Sequence, residues 1–355
     1  MKTNRTYTIL VPILSIVLGF IVGAVIMLMF GYNPITAYSA MLINVFKSPY
    51  FIGEVLNSTA ILTLTGLAFS LAYKTGMFNI GLSGQFLMGW ISSVWFALTF
   101  PDMPKIIMLP LAIILGTVVG AIWAGIAGGL RAQFGTSEVV VTIMLNYIAY
   151  HINNAIIHGP LASPLETPIV GDNARLSLNA LTTITKGSRL NLGFFLVVLV
   201  VIGYYWFMKR STLGFEMKVV GLNSDSAHYA GINAKKNILY SMMASGALAG
   251  LAGVLQGLGT FGDGFIQTSM PQEGFNGIAV GLLGLGQSFG IFLSSLLFGI
   301  LNVGSRFMPN GAGVPDEMAQ VVIAAIIFFV GANYIIRYFL DKRQSKPATA
   351  QEAKN

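Results

Sequence analysis

KRSTLGFEMKVVGLNSDSAHYAGINAKK, Lys209–Lys236, is a polar interruption between two strongly apolar blocks of similar size. It holds five basic residues, Lys209, Arg210, Lys218, Lys235 and Lys236, against two acids, Glu216 and Asp225. Between the basic clusters lies a small-residue, helix-compatible run, Ser224–Ala230, closed by Gly231. Asn223 or Ser224 can cap its first turn by accepting from exposed N–H groups. Gly231 suits the left-handed position that ends a helix. The segment predicts a short surface helix at a membrane, of the kind that can receive force from a soluble partner.

The blocks on either side decide the class. Apolar residues make up 55% of the 355-residue chain and charged residues 9%, where a soluble domain carries about 25% charged. The chain reads as an all-α, polytopic membrane protein. It has no cysteine and three scattered histidines, so thiolate chemistry is excluded, and neither a metal centre nor a cofactor is expected.

Ile9–Phe30 is 22 almost wholly apolar residues, enough for a hydrocarbon core of about 30 Å. A signal peptide is the rival reading, but the run is too long and no small-x-small cleavage site closes it. Further spans are expected at Val55–Tyr73, Met77–Phe100, Ile106–Leu130, Val139–His158, Leu192–Met208 and Asn237–Gly259. Asn276–Gly304 is read as two short spans split at Gly284–Gln287, with one re-entrant hairpin as the alternative. Met318–Leu340 is the tenth. Gly31–Glu54, Gly159–Asn191, Thr260–Phe275 and Arg306–Glu317 read as loops.

This organisation is one membrane domain over 1–355: a cytoplasmic lead at 1–8, spans within 9–340, the cytoplasmic segment 209–236 and a tail at 341–355. Ten spans put both termini on one side, where 14 basic residues fall against 6 on the other. With the acids included the balances are +9 and −2. Lysine and arginine mark the cytoplasmic face, so the +7 net charge is read as topology and not as a nucleic-acid site.

Five spans on each side of the Lys186–Asn191 region would give a duplicated half inverted topology. A local match fits: Phe78-Asn79 precedes Gly84 with the same spacing as Phe275-Asn276 precedes Gly281. Inverted repeats with glycine-interrupted helices recur in transporters, with the path at the repeat interface.

No phosphate-loop, H-E-x-x-H or G-x-S-x-G motif occurs, so nothing supports an enzyme. The expected spans are nearly free of ionisable residues, which disfavours proton coupling. His151, beside Tyr150, reads first as a packing residue. Neutral polar residues are more plentiful. Asn146, Tyr150 and Asn153 fall on one face of the fifth span, with Asn154 adjoining; Asn79, Ser83 and Gln85 lie in the third, and Asn276 in the eighth. Each has two readings, interhelical hydrogen bonding or the lining of a path for an uncharged polar solute.

Several of these residues carry a family resemblance. Ala72–Gln85, AYKTGMFNIGLSGQ, resembles the N-I-G-x-x-G-Q signature of permeases in the ribose and branched-chain amino acid class of ABC importers. Gly221-x-Asn223 followed by Ala227-x-Tyr229-Ala230-Gly231-Ile232 resembles that class's G-x-N-x-x-A-A-x-Y-A-G-I loop, with Ser226 departing from it. Ser245–Gly253 and Gly274–Gly284 resemble its following segments. The wording around Lys74 is most similar to the larger permease of nucleoside importers, fed by a basic-membrane-protein-type lipoprotein receptor; simple-sugar permeases are the alternative. A self-sufficient channel or facilitator is the alternative of another class.

The resemblance implies a bacterial plasma-membrane subunit and a second homologous permease. It also implies two cytoplasmic ATPase subunits or one fused tandem ATPase, and an extracytoplasmic binding lipoprotein. It makes Gly221, Asn223, Ser224, Ala227, Tyr229, Ala230 and Gly231 an ATPase-coupling loop.

Overall fold

The structure, a computed structural model, describes residues 5–161, 164–315 and 317–332. The expected tail 341–355, the end of the tenth span at 333–340 and residues 1–4 of the lead lie outside the described residues. Among the described residues the regular elements are helices, and one isolated bridge pairs Glu166 with Phe265. In chain order they are α1 (Arg5–Met29), α2 (Pro34–Phe46), α3 (Pro49–Lys74), α4 (Leu82–Thr99) and α5 (Lys105–Phe134). Then follow α6 (Glu138–His158), α7 (Asn179–Ile184), α8 (Gly193–Arg210), α9 (Thr212–Leu222) and α10 (Ser224–Tyr229). The last are α11 (Ala234–Val254), α12 (Gln272–Leu283), α13 (Ser288–Gly304), α14 (Met308–Ala312) and α15 (Glu317–Gly331). The backbone after α11 continues as a π-helical segment, Leu255–Phe261.

Seven stretches of the described residues are long and apolar enough to cross a bilayer: α1, α3, α5, α6, α8, α11 with its π segment, and Ser288–Ala312. The ten-span expectation differs at three places. The third span is broken, because 75–81 is not helical and α4 starts only at Leu82. The eighth is the 12 residues of α12, and the described part of the tenth is the 15 of α15. The predicted split is present: α12 and α13 are separated at 284–287, where Leu285 and Gly286 have φ of 53° and 64°.

Expected loops contain helices, α7 within 159–191 and α14 within 306–317 among them. Within 31–54, Asn33 accepts from the Ile35 N–H at 2.9 Å and starts α2 at Pro34. Ala37, Met41 and Val45 then recur every fourth residue as its buried stripe, a signal short enough to be read as a mixed loop. Within 209–236, α9 fills the stretch before α10, started by Ser211 accepting from the Gly214 N–H at 2.9 Å.

The helices gather into two compact units, 1–45 with 304–355, and 46–303. In the first, α1 packs on α15. Gly19 and Gly23 place the α1 backbone against Ile326 and Val322, and the Tyr38 hydroxyl from α2 donates to the Phe20 carbonyl at 2.8 Å.

In the second unit α11 is held by α3, α4 and α5, while α3 is held by α11 and α12. The α11–α5 contact is backbone on backbone. A β-carbon on Gly250 would lie 2.6 Å from the Gly116 carbonyl oxygen, so only glycine fits. Small residues at membrane helix contacts act through this close approach. The main core wraps Trp90, whose ring stacks on Phe261 at 5.5 Å and whose Nε1–H donates to the Asp263 carbonyl at 2.8 Å.

Candidate functional site

The α3–α12 and α11–α4 contacts bring two helix starts together. One end of α3 meets the π segment and the 185–191 stretch: Asn57 donates to Thr260 Oγ1 at 3.0 Å, and Glu54 accepts from the Arg189 N–H at 2.7 Å. The other end, Lys74, lies against Gly286 and next to the break at 75–81. Segment 75–81 therefore enters from the Lys74 end and 262–271 from the Glu54 end. The helices they begin touch at their first turns, where Ser83 Oγ donates to the Pro271 carbonyl at 2.9 Å. The matched residues differ in local structure: Asn79 lies in the non-helical segment before α4, and Asn276 lies inside α12.

At this junction the expected residues behave differently. Asn79 is fully buried and uses its amide completely. Its Nδ2 donates to Gln85 Oε1 at 3.0 Å and Ser245 Oγ at 2.9 Å, while its Oδ1 accepts from the Gly81 N–H and from Gln85 Nε2. Ser245 Oγ in turn donates to the Ala68 carbonyl at 2.7 Å. Asn79, Gln85 and Ser83 thus tie the break and the first turn of α4 to α11, α3 and α12. Asn276 is buried but makes no side-chain hydrogen bond among the described residues. Near it in α12 stands Glu273, read from sequence as a loop residue. Its carboxylate accepts from Gln256 Nε2 at 3.4 Å, in the first turn, where a helix favours negative charge. Pro271 before Gln272-Glu273 is the start signal that sequence reading missed.

The fifth expected span, α6, divides into two faces. On the inward side Asn146 Oδ1 accepts from the Gly84 N–H at 2.8 Å and its Nδ2 donates to the Ile80 carbonyl at 2.9 Å. Asn153 Nδ2 donates to the Phe265 carbonyl at 3.2 Å. Asn154 holds Gln267 by both backbone groups, at 3.0 and 2.9 Å. These amides substitute for regular structure, since 75–81 and 264–267 have backbone groups that no helix satisfies. Tyr150 is half-buried against the main core and makes no side-chain hydrogen bond among the described residues.

On the outward side of α6, His151 is not packed inside this chain. Val140, Met144, Tyr147, Ile148, His151 and Ala155 form an exposed stripe at helical spacing. The imidazole makes no hydrogen bond among the described residues, and its one ring contact is edge-on to Tyr150 at 5.1 Å.

At the Glu54 end of α3 a cavity of about 160 Å³ is bounded by Arg175, Ser188, Arg189 and the π segment. The Arg189 guanidinium lies 5.3 Å over the Phe261 ring. Beside it, burial and then the Glu166 carboxylate push the Asp263 carboxyl above its ordinary range, against the pull of Arg175 and Arg189.

At the Lys74 end, residues 212–229 fold into α9 and α10. Asn223 Oδ1 accepts from the N–H groups of Asp225 and Ser226, both at 2.9 Å, and α10 runs over 224–229. Gly231 ends it at φ 77°. Gly221 packs on the Lys74–Gly76 backbone, where a β-carbon would lie 3.0 Å from the Gly76 nitrogen. Lys218 Nζ donates to the Met208 carbonyl, and Asn237 Nδ2 donates to Glu216 at 2.9 Å, binding α9 to α8 and α11.

The residues expected to form a coupling loop divide by exposure. Ser224, Tyr229 and Ala230 are exposed, Tyr229 to 91%, whereas Ala227 is completely buried within this chain. Ala227 packs inside this chain and seats α10. A groove of about 500 Å³ runs along the exposed side, bounded by Ser224, Asp225, His228 and residues 231–235.

Comparison with known proteins accords with this architecture. The family model described as branched-chain amino acid transport system / permease component matches residues 51–331. The nucleoside ABC transporter permease protein NupB of Lactococcus lactis subsp. cremoris is 44% identical over 99% of this chain and 97% of its own length. The guanosine ABC transporter permease protein NupP of Bacillus subtilis is 42% identical, over 97% and 99%. The glucose ABC transporter permease protein TsgB13 of Haloferax volcanii is 30% identical, over 92% and 88%. The chain, an all-α multi-pass membrane protein, therefore belongs to the branched-chain amino acid transport system permease family, as a permease subunit of an ABC transporter complex.

Proposed function

We propose that this chain is the permease subunit of a nucleoside importer and forms, with a second homologous permease, the path across a bacterial plasma membrane. The observation that carries this reading is near end-to-end similarity to two permeases named for nucleosides and guanosine, at 44% and 42% identity. The glucose permease named above stands at 30%. Energy comes from outside the chain, from two cytoplasmic ATPase subunits or one tandem ATPase seated on the exposed side of α10. An extracytoplasmic lipoprotein delivers the solute. Both termini and residues 209–236 face the cytoplasm, as the 14-to-6 bias of basic residues supports.

The path runs beside α6, whose inward face is tied to the segments that lead into α4 and α12. Tyr150 and Asn276 are the expected path residues that make no side-chain hydrogen bond among the described residues. Asn79, Ser83, Gln85, Asn146 and Asn153 hold its walls. The chain changes which side is open and performs no chemistry of its own. The test is uptake of labelled guanosine by cells with and without this gene. Gene-dependent guanosine uptake that requires the neighbouring ATPase supports the reading; gene-dependent uptake of glucose and not of guanosine replaces it with the sugar reading.

A further inference from the structure

The helices α5 and α6 both leave one face uncovered, and the two faces differ in chemistry. On α5 the exposed residues are Ile107, Leu111, Ile114, Val118, Ile122 and Ile126, an aliphatic stripe suited to lipid. On α6 the stripe adds Tyr147, 57% exposed, and His151 to the apolar Val140, Met144 and Ile148. His151 is the thirteenth residue after Glu138 in a 21-residue helix long enough to span. An imidazole facing hydrocarbon at that depth is costly, and ionisable residues in spanning helices face a bundle interior or a watery cavity. The outward face of α6 is therefore not a lipid face.

Tyr147 and His151 are one helical turn apart, which puts the two rings side by side on the same face. The phenol offers a flat apolar surface, and a neutral imidazole offers one donor and one acceptor at its edge. Both groups are uncommitted: neither makes a side-chain hydrogen bond among the described residues. Together they match a flat heteroaromatic ring with polar edges better than they match an aliphatic sugar. We propose that Tyr147 and His151 form a reading pair on the path, Tyr147 stacking on the base of the passing nucleoside and His151 bonding to its edge. This rests on the nucleoside reading above.

The absence of cysteine allows a direct test in the complete transporter. Single cysteines at Tyr147→Cys and His151→Cys should react with a water-soluble methanethiosulfonate reagent, and saturating guanosine should slow both reactions. Val118→Cys and Ile122→Cys on α5 should stay unmodified. Tyr147→Ala and His151→Ala should each lower guanosine uptake about tenfold at unchanged membrane level. His151→Asn, which keeps a donor and an acceptor, should recover part of it. Unreactive cysteines at both positions, reaction rates indifferent to guanosine, or loss of both alanine variants from the membrane would each overturn the pair. A wild-type transporter that moves glucose but no nucleoside would overturn the nucleoside reading instead. Cysteine labelling at 147 and 151 would then decide separately whether this face lines the path.

Discussion

The junction around Asn79 and the surface around α10 are both rich in small polar residues, yet they use them in opposite ways. At the junction, Asn79, Gln85, Asn146 and Ser83 spend their amides and hydroxyl on one another and on backbone groups that no helix satisfies. At α10, Asn223 is spent as a cap, but Ser224, Tyr229 and Ala230 are exposed, with Ser224 at the edge of a groove. A polar group committed inside the bundle determines shape. One left uncommitted at a surface is available for contact. Substitutions in the first region should therefore cost stability, and those in the second should cost function at constant stability.

The largest effect should come from Asn79→Leu. It deletes four hydrogen bonds and leaves Gln85 and the Gly81 N–H buried without partners, at about 3 kcal/mol or more. The variant should fail to accumulate in the membrane, as immunoblotting would measure. Normal accumulation with impaired transport would break the comparison and return Asn79 to the path.

Next come Tyr229→Ala and Ala230→Trp on α10. Uptake should drop about tenfold, the scale of a central contact residue, while thermal melting of the purified chain stays unchanged. ATP hydrolysis by the assembled transporter should no longer respond to loaded receptor. Wild-type transport in both variants would remove α10 from the interface. Ala227→Trp is the contrasting case: it should lower the melting temperature, because it overfills a site inside this chain.

Asn146→Leu should have a smaller effect, about 2 kcal/mol for the lost bonds to Gly84 and Ile80. Melting temperature should fall while uptake per molecule in the membrane is retained. A selective loss of uptake with normal melting would move the path to the inward face of α6.

The smallest effect concerns Asp263. Its carboxyl is held above the ordinary range by burial and by Glu166, so the folded state resists its ionisation. The stability linked to this group is fully present below the ordinary carboxylate pKa and is lost as pH rises through the raised value. Asp263→Asn should then melt higher at neutral pH, by no more than about 2 °C. The advantage should shrink as pH falls toward about 4. A lower melting temperature at neutral pH would show that Arg175 and Arg189 outweigh burial.

Much of this molecule is legible in the chain alone. Long apolar runs cannot be anything but spanning or buried helices, because hydrocarbon leaves backbone groups no partner outside the helix. The α10 cap was equally readable: Asn223 and Gly231 act on their immediate neighbours, and short-range hydrogen bonds depend on local order. The break at 284–287 follows from its glycines for the same reason.

What the tertiary structure alone decided was direction. Asn146 and His151 both lie in an apolar helix, and periodicity separates their faces without saying which is covered. In a soluble protein hydrophobicity would answer, since the apolar face goes inward. In a membrane both faces are apolar, so only the neighbouring backbone of Ile80 and Gly84 shows that Asn146 points in and His151 out. Ala227 carries the same lesson. A small residue in a helix reads alike whether it admits a partner or seats its own chain, and the packing beneath it makes the difference.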